Sequence, residues 1–192
     1  MLCNISAFSQ SADRIMSNAA AYIAASNGIS AEFLISAQGD SGSGVLKCSG
    51  DKFSVILPDA QVWFNGNELY TYNKRSAETT VTIPTADELA EVNPLEYVKN
   101  ALKSYTATFA TARQPGKYIV DLTPKSKSNE IGKISLTLNS GDYRLERLVI
   151  SPKNGRPITV VVKNFKAGVN FALSEFEYPS KTLPNVEIID LR

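Results

Sequence analysis

Between Ala31 and Gly39 the side chains alternate. Phe33, Ile35 and Ala37 are apolar, Glu32, Ser36 and Gln38 are polar, and Leu34 is the exception. A period of two places one set of side chains on each face of a strand, so this pattern predicts a strand with one oily and one wet face. The rhythm returns in Lys52 to Pro58, with Phe53, Val55 and Leu57 set against Lys52 and Ser54. It returns again in Lys117 to Leu122, where Tyr118, Val120 and Leu122 oppose Lys117, Ile119 and Asp121, and in Ile131 to Leu138, where Ile134, Leu136 and Leu138 oppose Lys133, Ser135 and Thr137. A Gly-Ser stretch from Gly39 to Gly44 reads as a turn, followed by a strand carrying Leu46 and Cys48. Further strands are predicted over Gln61 to Asn65, Glu68 to Lys74, Thr79 to Ile83, Tyr105 to Ala112, Arg144 to Ser151 and Pro157 to Lys166. Asn65-Gly66 is the strongest short hairpin signal. About ten strands joined by short turns predict an antiparallel meander that curls.

Two segments follow a helical period instead. In Ser11 to Asn27 the residues Ile15, Met16, Ala19, Tyr22 and Ile23 form one stripe, with Ser11 as N-cap and Asn27-Gly28 as stop. Thr85 to Leu102 reads as two short helices separated around Val92 to Pro94, because proline is tolerated in a first helical turn. These helices are the only material available to cover the concave face of the sheet. Filling it completely gives a plain domain; leaving a gap gives a cavity lined by Phe, Val, Leu and Ile that accepts lipid-like tails. The expected fold is mainly β with helices, a curved antiparallel half-open β-barrel covered by an N-terminal helix and a midchain helical lid. It is expected to form one domain over residues 11–192.

Composition narrows the chemistry. Val, Ile and Thr supply 39 of the 192 residues, which favours a pleated, half-buried surface. With 20 basic against 19 acidic side chains, the chain lacks the positive field of a general nucleic-acid binder. There is no histidine, which removes the usual general base and the commonest metal ligand. No metal, cofactor or enzymatic activity is expected. Residues 1–9 resemble the tail of a secretory signal, with small Ala7 and Ser9 before Gln10, and this predicts export; a short disordered tail is the alternative reading of residues 1–10. Leu2 is not the small residue that a lipid anchor at Cys3 needs. With the signal removed only Cys48 remains, so no internal disulfide forms. Cys48 belongs to an apolar face, where a thiol stays protonated.

Several features have ordinary structural readings. Trp63, the single tryptophan, lies near Phe64, Tyr70 and Tyr72, and aromatic crowding of this kind serves cross-strand pairing or a cavity wall. Lys74-Arg75, with Lys47 and Lys52, reads as a solvated outer face. Asp87, Glu88 and Glu91 fall early in the lid, where acids near a helix N-terminus are favourable.

The stretch Gln61-Val-Trp-Phe-Asn-Gly-Asn-Glu-Leu-Tyr-Thr-Tyr-Asn-Lys74 resembles the central hairpin of the outer-membrane lipoprotein carrier family, LolA. Gly39 and Gly44 to Lys47 followed by Phe53, Asn93-Pro94-Leu95, and Leu122-Thr-Pro-Lys125 are similar to family segments in the same order. So are Phe176-Glu-Tyr-Pro179, Pro184-Asn-Val186 and Asp190-Leu191. The resemblance implies a monomeric periplasmic carrier that holds the acyl chains of a lipid-modified protein, or another lipid, and exchanges them with membrane-bound donor and acceptor proteins. A sensor of envelope lipoproteins on the same half-barrel is the alternative. The expected cavity wall is Phe33, Ile35, Phe53, Val55, Leu57, Trp63, Val120, Leu122, Ile134, Leu136 and Val160, under a lid carrying Leu89, Leu95, Tyr97 and Val98. The family's cavity arginine, which hydrogen-bonds the lid backbone, has no counterpart: the matching position is Cys48 or Ser49.

Overall fold

A computed structural model describes residues 11–37, 39–183 and 186–192; the signal-like stretch 1–10, with Cys3, lies outside them. The N-terminal stripe forms α1 (Ala12–Ala25), and the Ser11 hydroxyl accepts the Arg14 N–H at 3.2 Å. Its residues Ile15, Met16 and Ala19 are buried, while Tyr22 turns to the side and stacks on Phe165 at 6.1 Å between ring centres.

Six strands follow: β1 (Ile29–Ala37), β2 (Asp40–Ser49), β3 (Lys52–Ile56), β4 (Ala60–Phe64), β5 (Leu69–Asn73) and β6 (Glu78–Thr82). After three short helices come β7 (Tyr105–Phe109), β8 (Lys117–Pro124), β9 (Ile131–Asn139), β10 (Leu145–Pro152), β11 (Ile158–Ala167) and β12 (Glu187–Asp190). All twelve join one sheet in the order β12-β6-β5-β4-β3-β2-β1-β11-β10-β9-β8-β7. The expected meander is therefore two meanders joined at β1 and β11, with the helices in the crossover between β6 and β7. Edges remain at β12 and β7, so the barrel is half open. Residues as distant in the sheet as Val55 on β3 and Leu122 on β8 share one apolar cluster with α1, so the sheet must curve around it.

Two expectations need correction. The Gly-Ser stretch after Gly39 is strand, not turn: β2 pairs with β1 from Ser49 back to Asp40, and only the residues at Gly39 turn, with φ +98°. Here backbone pairing overrides weak strand propensity. Gly44 lies opposite Phe33, and a Cβ built on it would stand 2.4 Å from the ring, so the missing side chain makes room for the aromatic. The chain after β11 is the second surprise. It crosses the outer face of β3 to β5 through a 3₁₀ turn at Leu173–Phe176, then adds β12 parallel to β6.

The midchain helices are α2 (Ala86–Val92), α3 (Leu95–Lys99) and α4 (Ala101–Ser104), three pieces where two were expected. Thr85 and Glu88 form a capping box at the start of α2: the Thr85 hydroxyl accepts the Glu88 N–H at 3.3 Å, and the Glu88 carboxylate accepts the Thr85 N–H at 2.7 Å. The Thr85 N–H, and the Thr85 hydroxyl at 2.9 Å, donate to the Glu88 carboxylate and hold it below its ordinary value.

Candidate functional site

The inner faces of the strands converge on one apolar cluster. Of the expected wall, Phe33, Phe53, Val55, Val120, Leu122, Ile134, Leu136 and Val160 belong to it, and Ile35 and Leu57 pack against it half buried. From the expected lid, Leu95, Tyr97 and Val98 enter the same cluster, with Leu89 at its margin. Alternation along each strand produces this convergence, and curvature brings both halves of the sheet onto α1 and α3. Val120, Leu122, Ile134 and Leu136 are 0% exposed, so no space large enough for water borders them. Side chains of the helices occupy the hollow.

Trp63 does not join that cluster. Its neighbours Val62 and Phe64 point inward, so Trp63 faces outward, correcting its place in the expected wall. It is buried there because the C-terminal chain covers it. Tyr178 meets Trp63 edge-on at 5.6 Å and stacks on Tyr70 at 5.2 Å, and the Thr79 hydroxyl donates to the Tyr178 oxygen at 3.2 Å. Phe176 is fully buried nearby. Lys47 and Lys52 also differ from the solvated face expected of them: they pair with Glu175 at 2.7 Å and Glu177 at 3.6 Å, tying the crossing chain to β2 and β3. Lys74 is drawn to the Leu57 and Pro58 carbonyls, at 2.8 and 3.1 Å.

The lid is fastened by polar groups that periodicity did not identify. Asn93 lies between α2 and α3, buried. Its carbonyl oxygen accepts the Leu95 N–H at 3.1 Å, and its amide donates to the Glu96 carboxylate at 3.4 Å and to Cys48 Sγ at 3.7 Å. Glu96, also buried, accepts from Lys99 and from Asn100, each at 2.9 Å, and Lys99 reaches Asp51 at 3.3 Å on the β2–β3 turn. Burial alone would lower the Lys99 pKa, but the Glu96 and Asp51 carboxylates outweigh it and the net shift is upward. Asn93-Pro94 was legible only as a helix break. Its capping and bridging role depends on where β2 arrives. Cys48 is under the lid on the inner face, and burial pushes its thiol up to about 12. It is a weak acceptor here rather than a nucleophile.

A cleft of about 420 Å³ beside the end of β3 is lined both by the outward Leu34, Val45 and Ile56 and by Phe33, Gly44 and Leu57 of the inner face, with Glu32 and Lys163 also bordering it. Leu34 and Ile56 are exposed there. Among the described residues no helix is long and apolar enough to cross a membrane.

Residues 3–154 match the family model described as outer membrane lipoprotein carrier protein LolA. No curated protein matches the chain. Among solved structures, it is similar to an uncharacterized conserved protein from Thermus thermophilus, with TM-score 0.66 and 14% identity over 94% of this chain and 99% of that one. A DUF1329 family protein from Desulfovibrio piger gives TM-score 0.53 and 12% identity over 90% and 99% of the two chains. MucB gives TM-score 0.50 and 11% identity, covering 93% of this chain and 65% of MucB.

Proposed function

Because the chain belongs to the outer membrane lipoprotein carrier family LolA, we propose that it is a non-catalytic periplasmic carrier that takes the acyl chains of a lipid-modified protein, or a related amphiphile, into the hollow of its half-barrel. The observation that carries this reading is the make-up of the closed interior. The wall is apolar, with aliphatic side chains beside Phe33, Phe53 and Phe64, and the side chains filling it come from helices of five and four residues as well as from α1. Aliphatic contacts are non-directional, so a hydrocarbon chain can replace Leu95 and Val98 when α3 and α4 swing out. The driving force is large. Keeping a chain of fourteen to sixteen methylenes out of water is worth roughly 0.8 kcal/mol per CH₂, on the order of 10 kcal/mol per chain. That gain is enough to offset undocking two helical turns and the Asn93 and Glu96 bonds.

The test is titration with a fluorescent acyl probe, competed by a triacylated lipopeptide. Saturable binding, displaced by the lipopeptide and lost in Val120→Glu folded to the wild-type circular dichroism, is the expected result. Failure of both ligands to bind ends the carrier reading.

A second reading, an envelope lipid sensor, is favoured by the exposed Leu34 and Ile56 on the outer face, which a carrier's cargo does not need. A sensor holds a stable protein partner whose affinity changes with lipid. A carrier instead releases its cargo to an acceptor.

A further inference from the structure

The crossing chain shows how the outer face of this sheet is covered. In Glu175-Phe-Glu-Tyr178 acids and aromatics alternate: the two carboxylates pair with Lys47 and Lys52, Phe176 is buried, and Tyr178 stacks on Tyr70. Beyond Ile56 the same face continues in the open. Opposed residues of an antiparallel pair share a face, so one row runs Ile56, Val45, Glu32, Lys163 from β3 to β11, and the next runs Leu34, Val161, Arg147 from β1 to β10. Three clefts follow this route. The first, of about 430 Å³ beside the crossing chain, shares Ile56 with the cleft beside the end of β3, and that one shares Lys163 with a third of about 600 Å³ over β10 and β11.

The open half has the make-up of the covered half without its acids. Leu34 is 44% and Ile56 38% exposed, with Val45 and Val161 half buried between them. Arg147 and Lys163, both exposed, make no side-chain hydrogen bond or ion pair among the described residues. Glu32 lies opposite Lys163 but accepts the Asn164 amide at 2.8 Å, and Asn164 is held at φ +47° where the β1–β11 register shifts. Lys74, at the middle cleft, reaches only carbonyls. Arg144 and Glu146 also line the third cleft, yet their charges are met by Asp142 and Lys117. An apolar floor bordered by cations that no carboxylate meets is therefore complementary to an acidic and apolar chain.

We propose that the open half of the outer face seats an extended segment of a partner protein in which acidic and apolar residues alternate. Its carboxylates meet Arg147 and Lys163, and its apolar side chains cover Leu34, Ile56 and Val161. The segment lies next to the crossing chain, across Ile56, and is held by the same combination of ion pairs and apolar cover. A single chain fits better than a lipid surface, because the cations stand in the same rows as the apolar residues, with clefts between them, rather than behind a protruding apolar tip. The proposal names the chemistry of the partner that the sensor reading requires, and it does not depend on acyl binding in the hollow.

The experiment applies the labelled full chain to an array of seven-residue peptides with Glu at alternate positions and Phe, Tyr, Leu, Ile or Val between them, and to the same array with Gln in place of Glu. The tightest Glu peptide and its Gln counterpart are then titrated into the intact protein and into its R147Q/K163Q variant, whose substitutions are both exposed. The expected result is saturable binding of the Glu peptide, about tenfold tighter than its counterpart at low salt, with NMR shifts at Leu34 and Val161. That advantage should be removed by 0.5 M salt and by the variant. No saturable binding in either array, or binding that the variant leaves unchanged, overturns the proposal. Phosphatidylglycerol vesicles that bind the intact protein but not the variant, while no peptide binds, overturn it in favour of a lipid surface. The acyl probe separates this proposal from the carrier reading. Equal acyl-probe affinity in both proteins supports a separate peptide seat, and its loss in the variant at unchanged circular dichroism overturns one. If the probe binds neither protein, the carrier reading falls and the peptide titration alone decides the seat.

Discussion

The two faces of strands β3 to β5 bury similar bulk by different means. Inside, Phe53 and Phe64 face each other with ring centres 5.3 Å apart, and with Val55 and Val62 they join a cluster whose other members are mainly aliphatic. Outside, Trp63 and Tyr70 meet Tyr178 in one edge-on and one stacked contact, and a hydroxyl bond and two ion pairs hold the crossing chain in register. Directional contacts specify one partner, whereas dispersion between aliphatic groups accepts any hydrocarbon of suitable shape. The outer face is thus held by directional contacts and the inner face mainly by non-directional ones, with the midchain helices fastened at their edge by Asn93, Glu96 and Lys99.

The largest effect expected from this contrast is at Trp63. Trp63→Ala removes the centre of the outer cluster and should lower unfolding free energy by about 3–5 kcal/mol, measured by urea denaturation followed by circular dichroism. Acyl-probe affinity of the folded protein should stay within about twofold, and a parallel loss of binding would break the comparison. Leu136→Ala should cost about 2–5 kcal/mol without ligand, and a long-chain amphiphile should restore part of it by filling the vacated space. An outer-face truncation should show no such recovery.

Asn93→Ala sharpens the contrast at the lid edge. It should cost about 1–3 kcal/mol by leaving Glu96 short of a donor, and it should accelerate probe entry in stopped-flow mixing more than it alters stability. An unchanged entry rate would show that the lid is not fastened there. The smallest effect concerns the end of the crossing chain, where Glu68 accepts from Tyr70, Arg192 and Asn65. Those bonds, that of Tyr70 first, lower the Glu68 pKa. Their contribution is therefore present above the ordinary glutamate value near 4.3 and is lost as pH falls through the lowered one. Arg192 also binds Asp190, whose pKa the side-chain and backbone bonds bring down to about 2. Trp63 fluorescence should report loosening of this end only on the acid side of about pH 4. A change nearer neutrality would assign the clamp to other groups.

The strands other than β12 and the first half of β2, the N-cap of α1, the inward sets on β1, β3, β8 and β9 and the protonated state of Cys48 were legible in the chain itself, because each depends on neighbours within a few positions. Trp63 was expected in the cavity wall, yet it faces away from the inward Val62 and Phe64, and only the chain returning at Tyr178 buries it on the outer face. The strand character of Asp40 to Gly44 was equally hidden, since a Gly-Ser run becomes a strand only when β1 offers it a ladder.

Local periodicity therefore determined which side chains are oily, which elements they form and which of them share a face. Tertiary structure decided the split into two meanders, the covering of the outer face, the joining of Asn93 to Cys48 and the filling of the hollow by helix side chains. Those outcomes depend on contacts between residues tens of positions apart, whose free energy is gained only once curvature and chain return have brought them together.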